Sequence, residues 1–301
     1  MKKTKATLVI ISILFSVCSM YILSVQSSGM IFINVDGTIE GTDKIQRDGN
    51  LYTFTADIKE SYGIIVEKKD IIIDGKCHTI EGTPRILPIG SWDYGIELSN
   101  GTGGNVTIKN LKIVNFNIGI YIGTANNTVT GNMITGGNVG ITMAESPNTI
   151  VGNILGDNIE GVFLGPILYN HTKVYNVFYL NSFLNNTRHI YDCECTSTLW
   201  MQHLNIWDNG TSGNYWSDYD GIDEDKDGIG DTAYSVTDDD VDMYPLMEPL
   251  TLSLTENNGF LGMDLSLEIG FAITAGIVVV ILTIAYVILK RRKNQTLKKI
   301  N

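Results

Sequence analysis

Five short segments along the middle of the chain start with glycine and continue with apolar residues: GIIV at Gly63, GIEL at Gly95, GIYI at Gly119, GITM at Gly140 and GVFL at Gly161. The last three begin 21 residues apart. One strand and one turn cannot bury its own apolar face, so a repeat this short must stack on copies of itself. Ile108, Val129, Ile150 and Val174 follow the glycines at 95, 119, 140 and 161, and Ile113, Ile134 and Leu155 come five residues after the first three of them. The resulting runs, VTIKNLKIVNF, TVTGNMITGG and TIVGNILGD, are rich in β-branched residues and broken by Gly, Asn and Asp. Those three tolerate the left-handed backbone of tight corners. Helical periodicity is absent between Ile31 and Tyr191,. The spacing predicts an all-β chain, a right-handed parallel β-helix, with like side chains stacked coil over coil. Asn132 and Asn153 occupy equivalent places, as do Asn117 and Asn138, and stacked amides can hydrogen-bond along the axis,. A leucine-rich repeat would need a helix per unit, and a propeller blades of ~40 residues.

The two ends read differently. Leu8 to Val25 is an uncharged run behind MKKTK, a secretory signal or an N-terminal anchor,. Ile269 to Leu289 is a second uncharged run, 21 residues long, and Lys290, Arg291, Arg292 and Lys293 follow it. At ~1.5 Å per residue it is long enough for a transmembrane helix. The basic flank predicts a cytoplasmic C-terminus and an extracellular bulk. Between the two runs, twelve Lys and Arg face all 33 Asp and Glu, a balance near −21. A surface of that sign excludes nucleic acid as a natural partner and suits divalent cations.

The sharpest local motif is GIDEDKDGIGD. Asp223, Asp225 and Asp227 alternate, Gly228 follows, the Ile229 carbonyl falls at position seven and Asp231 at position nine of an EF-hand-type calcium loop,. Position twelve is Tyr234 rather than Glu, so further oxygens would have to come from Asp218, Asp220 or Asp242. The plain alternative is a solvated acidic turn. A softer cluster holds His189, Cys193, Cys195, Met201 and His203, donor types that suit copper(I) or zinc at a spacing that fits no standard zinc motif,. Together with Cys18 and Cys77 these cysteines are too few for a disulfide scaffold,. Asn-x-Ser/Thr acceptors stand at Asn100, Asn105, Asn126, Asn170, Asn185 and Asn209,.

No catalytic set is legible. Asp74, Glu97, Glu145, Asp157 and Glu160 are scattered, as are Lys109, Lys112 and Lys173. A two-carboxylate glycosidase needs its pair about 5–9.5 Å apart. Trp92, Tyr94, Tyr121, Phe163, Tyr169, Tyr175, Phe178 and Tyr179 lie along the coils. Rings on an outward face would stack on sugars; rings turned inward would fill the core.

From about Ile31 to Pro249 the chain resembles NosD-like right-handed parallel β-helix proteins, a group that includes surface proteins common in archaea. The likeness is carried by DGTIEGTDKIQRDGNLYTFTADI, IIVEKKDIIIDGKCHTIEG, NVTIKNLKIVNFNIGIYI and the closing GNYWSDYDGIDEDKDGIGDTAY…DMYPLM. It implies the fold and export. The group is named for a periplasmic protein of copper-site maturation and is similar to carbohydrate-binding and sugar-hydrolase β-helix domains. The expected organisation is a signal or anchor over 1–28, a β-helix with its capping strand over 30–199, and a cap with the calcium loop over 200–249. A linker over 250–267, a transmembrane helix over 268–290 and a basic tail over 291–301 follow. The expected function is that of a membrane-anchored surface module binding glycans or neighbouring surface-layer proteins. The alternatives are a polysaccharide lyase or hydrolase, or copper handling.

Overall fold

Strands of two to five residues, each alternating inward and outward side chains, are joined by corners so short that the chain can only advance to the next layer. The structure is a computed structural model. It describes residues 29–82, 93–99, 104–165, 167–168, 175–193, 200–201 and 204–250. The expected signal segment and transmembrane run lie outside these residues; among those described, no helix is long and apolar enough to cross a membrane.

Three long sheets run side by side along one axis. The first takes a parallel strand from each coil: Ile31–Ile33, Ile64–Val66, Tyr94–Leu98, Ile118–Ile122, Val139–Met143, Glu160–Leu164 and Arg188–Asp192. The second and third take the next two strands of each coil, ending at Leu204–Ile206 and Tyr215–Trp216. The opening segment does more than cover an end. Ile31–Ile33, Leu51–Phe54 and Ile58–Ser61 pair in parallel with the following coil, so it is a coil itself. Ile39–Glu40 and Ile45–Asp48 lie antiparallel on its outer edge, where unpaired backbone would otherwise invite another chain,.

The predicted columns are present. Ile31, Ile64, Ile96, Ile120, Ile141, Val162 and Ile190 stack in register in the first sheet. Ile108, Val129 and Ile150 stack in the second, but the next member is Phe178; Val174 lies outside the described residues. Ile113, Ile134, Leu155, Phe183 and Trp216 continue the third. Nearly all are fully buried, and each such side chain contributes about 1.5–3 kcal/mol,. The glycine column is aligned as well. A Cβ on Gly119 would meet Ile134 Cγ2 at 2.3 Å and Gly140 O at 2.6 Å; one on Gly140 would meet Gly161 O at 2.5 Å. In the last strand of the first sheet this column ends on His189.

Asparagine ladders run along the corners of the coils. Asn132 Nδ2 donates to Asn153 Oδ1 (3.0 Å), Asn153 to Asn181 (3.0 Å), Asn181 to Asn214 (2.9 Å), and Asn214 to Asp242 Oδ2 (3.3 Å). At a second corner Asn127 donates to Asn148 (2.9 Å) and Asn176 to Asn205 (3.5 Å), and Asn205 donates to Asp240 Oδ2 (3.2 Å). Both of these ladders end on a carboxylate of the cap, while Nδ2 of Asn132, Asn153 and Asn181 also donates back to Ile108 O, Val129 O and Ile150 O. Two indoles join them there: Trp216 Nε1 donates to Asp242 Oδ2 and Trp207 Nε1 to Asp240 Oδ2, both at 2.9 Å. The core closes in stacked rings, Phe183 on Trp216 (4.4 Å), Trp216 on Tyr234 (4.5 Å) and Phe178 on Trp207 (4.4 Å).

Candidate functional site: the outward face of the first sheet and the acidic cap

Strand alternation in the first sheet sends one residue per coil outward in register: Phe32, Ile65, Glu97, Tyr121, Thr142, Phe163 and Tyr191. Two ring pairs result. Tyr94 and Tyr121 lie 5.2 Å apart, and Phe163 and Tyr191 5.4 Å apart. Glycines beyond the strand ends make room for them. A Cβ on Gly123 would meet Tyr121 Cε1 at 2.8 Å, and one on the equivalent Gly165 would meet Phe163 Cε1 at 3.3 Å. The strands carrying Tyr121 and Phe163 are two apart, ~10 Å at ~4.8 Å per strand. Of the other predicted rings, Phe178 is core, Tyr175 is exposed on the second sheet, and Trp92 and Tyr169 lie outside the described residues.

This face is half-buried, and its ionisable groups show it. Burial alone raises the Glu97 carboxyl. Tyr94 is pushed up to about 12 by burial and then by the Glu97 charge. Tyr121 is raised by burial, then by the charges of Glu97, its register partner, and Glu145. Glu160 is raised by burial, opposed by Arg188, its register partner. The Arg188 guanidinium sits 4.4 Å from the Tyr191 ring centroid, a cation–π contact,.

The remaining coil carboxylates do not converge on this face. Asp74 is buried in the second sheet, paired with Lys76 (3.2 Å) and Lys109 (3.5 Å). Asp157 sits at a corner with φ 53°. Glu97 and Glu160 are three strands apart, ~14 Å at ~4.8 Å per strand, which is too far for a glycosidase pair.

The acidic loop is folded on its own backbone. Asp223 accepts from the N–H groups of Lys226 (2.7 Å), Asp227 (3.2 Å) and Gly228 (3.0 Å). These bonds hold its carboxyl low, against burial, whereas the Asp227 and Asp223 charges raise Asp225. Carboxylate oxygens of Asp223, Asp225 and Asp227 lie within 4.8 Å of one another. Asp231 Oδ2 accepts from Glu224 N (2.8 Å), and Ile229 bridges to Leu246, tying the loop to the cap. Two of the proposed auxiliary ligands have other partners. Asp218 holds His189 Nε2 (3.2 Å) and the Tyr234 hydroxyl (3.0 Å). Asp242 is fully buried, with its oxygens occupied by Asn214, Trp216 and Tyr244, so it terminates a ladder rather than serving the loop.

Of the soft-ligand cluster, the described side chains are His189 and Cys193. His189 is 8% exposed and sits near the rings of Phe183 and Trp216. Its Nδ1 faces Asn186 Nδ2 (3.3 Å), while Nε2 faces Ser217 Oγ (3.3 Å) and Asp218. Burial lowers its pKa more than Asp218 raises it. Cys193 is disulfide-bonded, so its sulfur is no thiolate ligand; the free thiol among the described residues is Cys77. Cys195 and His203 lie outside the described residues, and only the backbone of Met201 is described. Among the described residues, the three aspartates are the sole group of three or more His, Cys, Asp or Glu able to surround a metal. Such an all-oxygen set fits a hard cation and not copper(I). Asn105, Asn126, Asn185 and Asn209 are exposed, the first three in left-handed corner conformations; Asn100 and Asn170 lie outside the described residues.

Compared with known proteins, the chain matches the family model described as periplasmic copper-binding protein (NosD) over residues 59–221, more than half its length. No curated protein and no solved structure matches it.

Proposed function

This chain belongs to the NosD family, and from that premise we propose that it is an exported, membrane-anchored β-helical module that binds glycans on the outward face of its first sheet. The observation that carries the reading is the two ring contacts on the first sheet, Phe163–Tyr191 between register partners and Tyr94–Tyr121 between adjacent strands. A pyranose ring is about as long as the ~4.8 Å strand spacing. An extended oligosaccharide lying along the solenoid axis can therefore set successive sugars over successive coils. Aromatic faces take the apolar side of each sugar while hydroxyls and carboxylates meet its polar edge. The test is calorimetric titration of the full-length protein with chito- and cello-oligosaccharides. Tyr121→Ala and Phe163→Ala should each weaken binding about tenfold, and Tyr175→Ala on the second sheet should not change it. Equal losses from all three variants would refute this placement. Were the bound oligosaccharide also cut, with cleavage lost in Glu97→Gln, the module would be a hydrolase acting through Glu97 and Glu145.

Calcium is assigned a structural role in the loop Asp223–Asp231. Its carboxylates converge without a cation among the described side chains, and Ile229 and Gly230 tie the loop to Leu246 and Pro245. Calcium at millimolar concentration should raise the melting temperature of the full chain, EDTA should reverse this, and Asp225→Ala should abolish the response. A melting curve indifferent to calcium would remove the cation.

Copper handling is a second reading, favoured by the family match. The described residues do not gather soft ligands, so this reading depends on Cys195 and His203. Stoichiometric copper(I) binding by the reduced chain, lost in Cys193→Ser/Cys195→Ser, is its expected sign; binding unchanged by that substitution excludes these ligands.

A further inference from the structure

Tyr121 and Phe163 occupy equivalent places on the first sheet, but their surroundings are charged differently. Tyr121 leans over Gly123 and Phe163 over Gly165, at equivalent ends of strands two coils apart. The second pair carries its own cation: Arg188 lies 4.4 Å from the Tyr191 centroid, with Glu160 in register beside it. The first pair has carboxylates instead. Glu97 is the register partner of Tyr121 on the adjacent strand, and the charges of Glu97 and Glu145 both act on its phenol. Among the described residues no salt bridge reaches either of them. A half-buried carboxylate without a counter-charge, beside two electron-rich rings, is the environment in which an ammonium group is most strongly held.

We propose that the site formed by Tyr94, Glu97, Tyr121 and Glu145 recognises an amine-bearing sugar, a deacetylated hexosamine unit, within the glycan bound on this face. The proposal rests on the glycan reading above and adds the ligand's charge. The ammonium makes with Tyr121 the kind of cation–π contact that Arg188 makes with Tyr191,. The sugar ring covers the tyrosine faces, and Glu97 and Glu145 supply the counter-charge. The exported region, at a formal balance near −21, disfavours uronate polymers and favours a cationic chain,.

The experiment titrates full-length protein with three probes at a pH that keeps the amine protonated: chitosan hexamer, its fully N-acetylated counterpart, and a galacturonate hexamer. The chitosan hexamer should bind about tenfold more tightly than the acetylated one, with the preference shrinking as salt rises. The galacturonate hexamer should bind weakest. In Glu97→Gln/Glu145→Gln the two hexosamine oligomers should come within twofold of each other, with binding of the acetylated oligomer retained as proof that the face is intact. Equal affinity of the wild-type protein for the two, or a preference that survives the double substitution, overturns the amine assignment while leaving the glycan reading standing. Absence of binding by every oligomer overturns both.

Discussion

Asp242→Ala should destabilise the cap by roughly 3–5 kcal/mol, the largest effect expected of any single substitution outside the apolar columns. Asp242 is fully buried and accepts from Asn214 N (2.7 Å), Trp216 Nε1 (2.9 Å) and Tyr244 N (3.0 Å), and from Asn214 Nδ2 at 3.3 Å. Removing it strands the first three of these donors where water cannot replace the acceptor, while Asn214 Nδ2 keeps Trp207 O and Phe178 O. An unsatisfied buried donor costs about 1–3 kcal/mol, and these three share one site, so their losses do not simply add. Burial raises the Asp242 carboxyl more than its hydrogen bonds lower it. Asp242→Asn, which keeps one acceptor oxygen and removes the charge, should therefore cost less than Ala. Trp207 and Trp216 report locally. Under denaturant their fluorescence should change before the far-ultraviolet strand signal in Asp242→Ala, because a solenoid frays from an uncapped end. Coincident, unshifted transitions in wild type and variant would show that the ladder does not need its terminus.

The second large effect is expected in the middle of the solenoid. Asn153 is fully buried. Its Oδ1 accepts from the backbone N and the Nδ2 of Asn132, both at 3.0 Å. Its Nδ2 reaches Val129 O (2.8 Å), Val151 O (3.1 Å) and Asn181 Oδ1 (3.0 Å). Asn153→Ala leaves a gap in the ladder with an orphan on each side, and should cost about 2–4 kcal/mol. Here loss of the whole strand signal should shift together, since the break is internal. Asn117 offers the contrast. It accepts from Asn138 Nδ2 at 2.6 Å, but on the exposed surface, where water substitutes. Asn117→Ala should stay within about 0.5 kcal/mol of wild type. A cost for Asn117→Ala equal to that of Asn153→Ala would mean that burial does not set the value of these stacked amides.

How much of this was readable before the fold was known depends on coil length. From Gly119 to Gly161 the coils are 21 residues long, so Ile113, Ile134 and Leu155, and Asn132 and Asn153, announce their own columns. Beyond Asn153 the ladder steps are 28, 33 and again 28 residues. Insertions between strands break the period, which is why Phe178 rather than Val174 continues the second sheet. For the same reason Asp242 read as a calcium ligand of its acidic neighbourhood, although its partners are 26 to 28 residues back at Asn214 and Trp216. The outward face was hidden for another reason. Tyr121 and Phe163 stand two 21-residue coils apart, but Thr142 comes between them and Tyr94 and Tyr191 fall outside that period, so the rings announce no column. The acidic loop was legible because its ligand spacing is local, three aspartates at alternate positions within five residues.

The central claim is that the outward face of the first sheet is the surface this module uses. Hydroxyl-radical footprinting of the full-length protein, with and without a saturating hexosamine oligomer, tests it most directly. The expected result is protection of Tyr94, Tyr121, Phe163 and Tyr191, with Tyr62 and Tyr175 oxidised as in the free protein. Protection that falls instead on the second sheet or on the acidic cap, with the four rings of the first sheet unchanged, contradicts it.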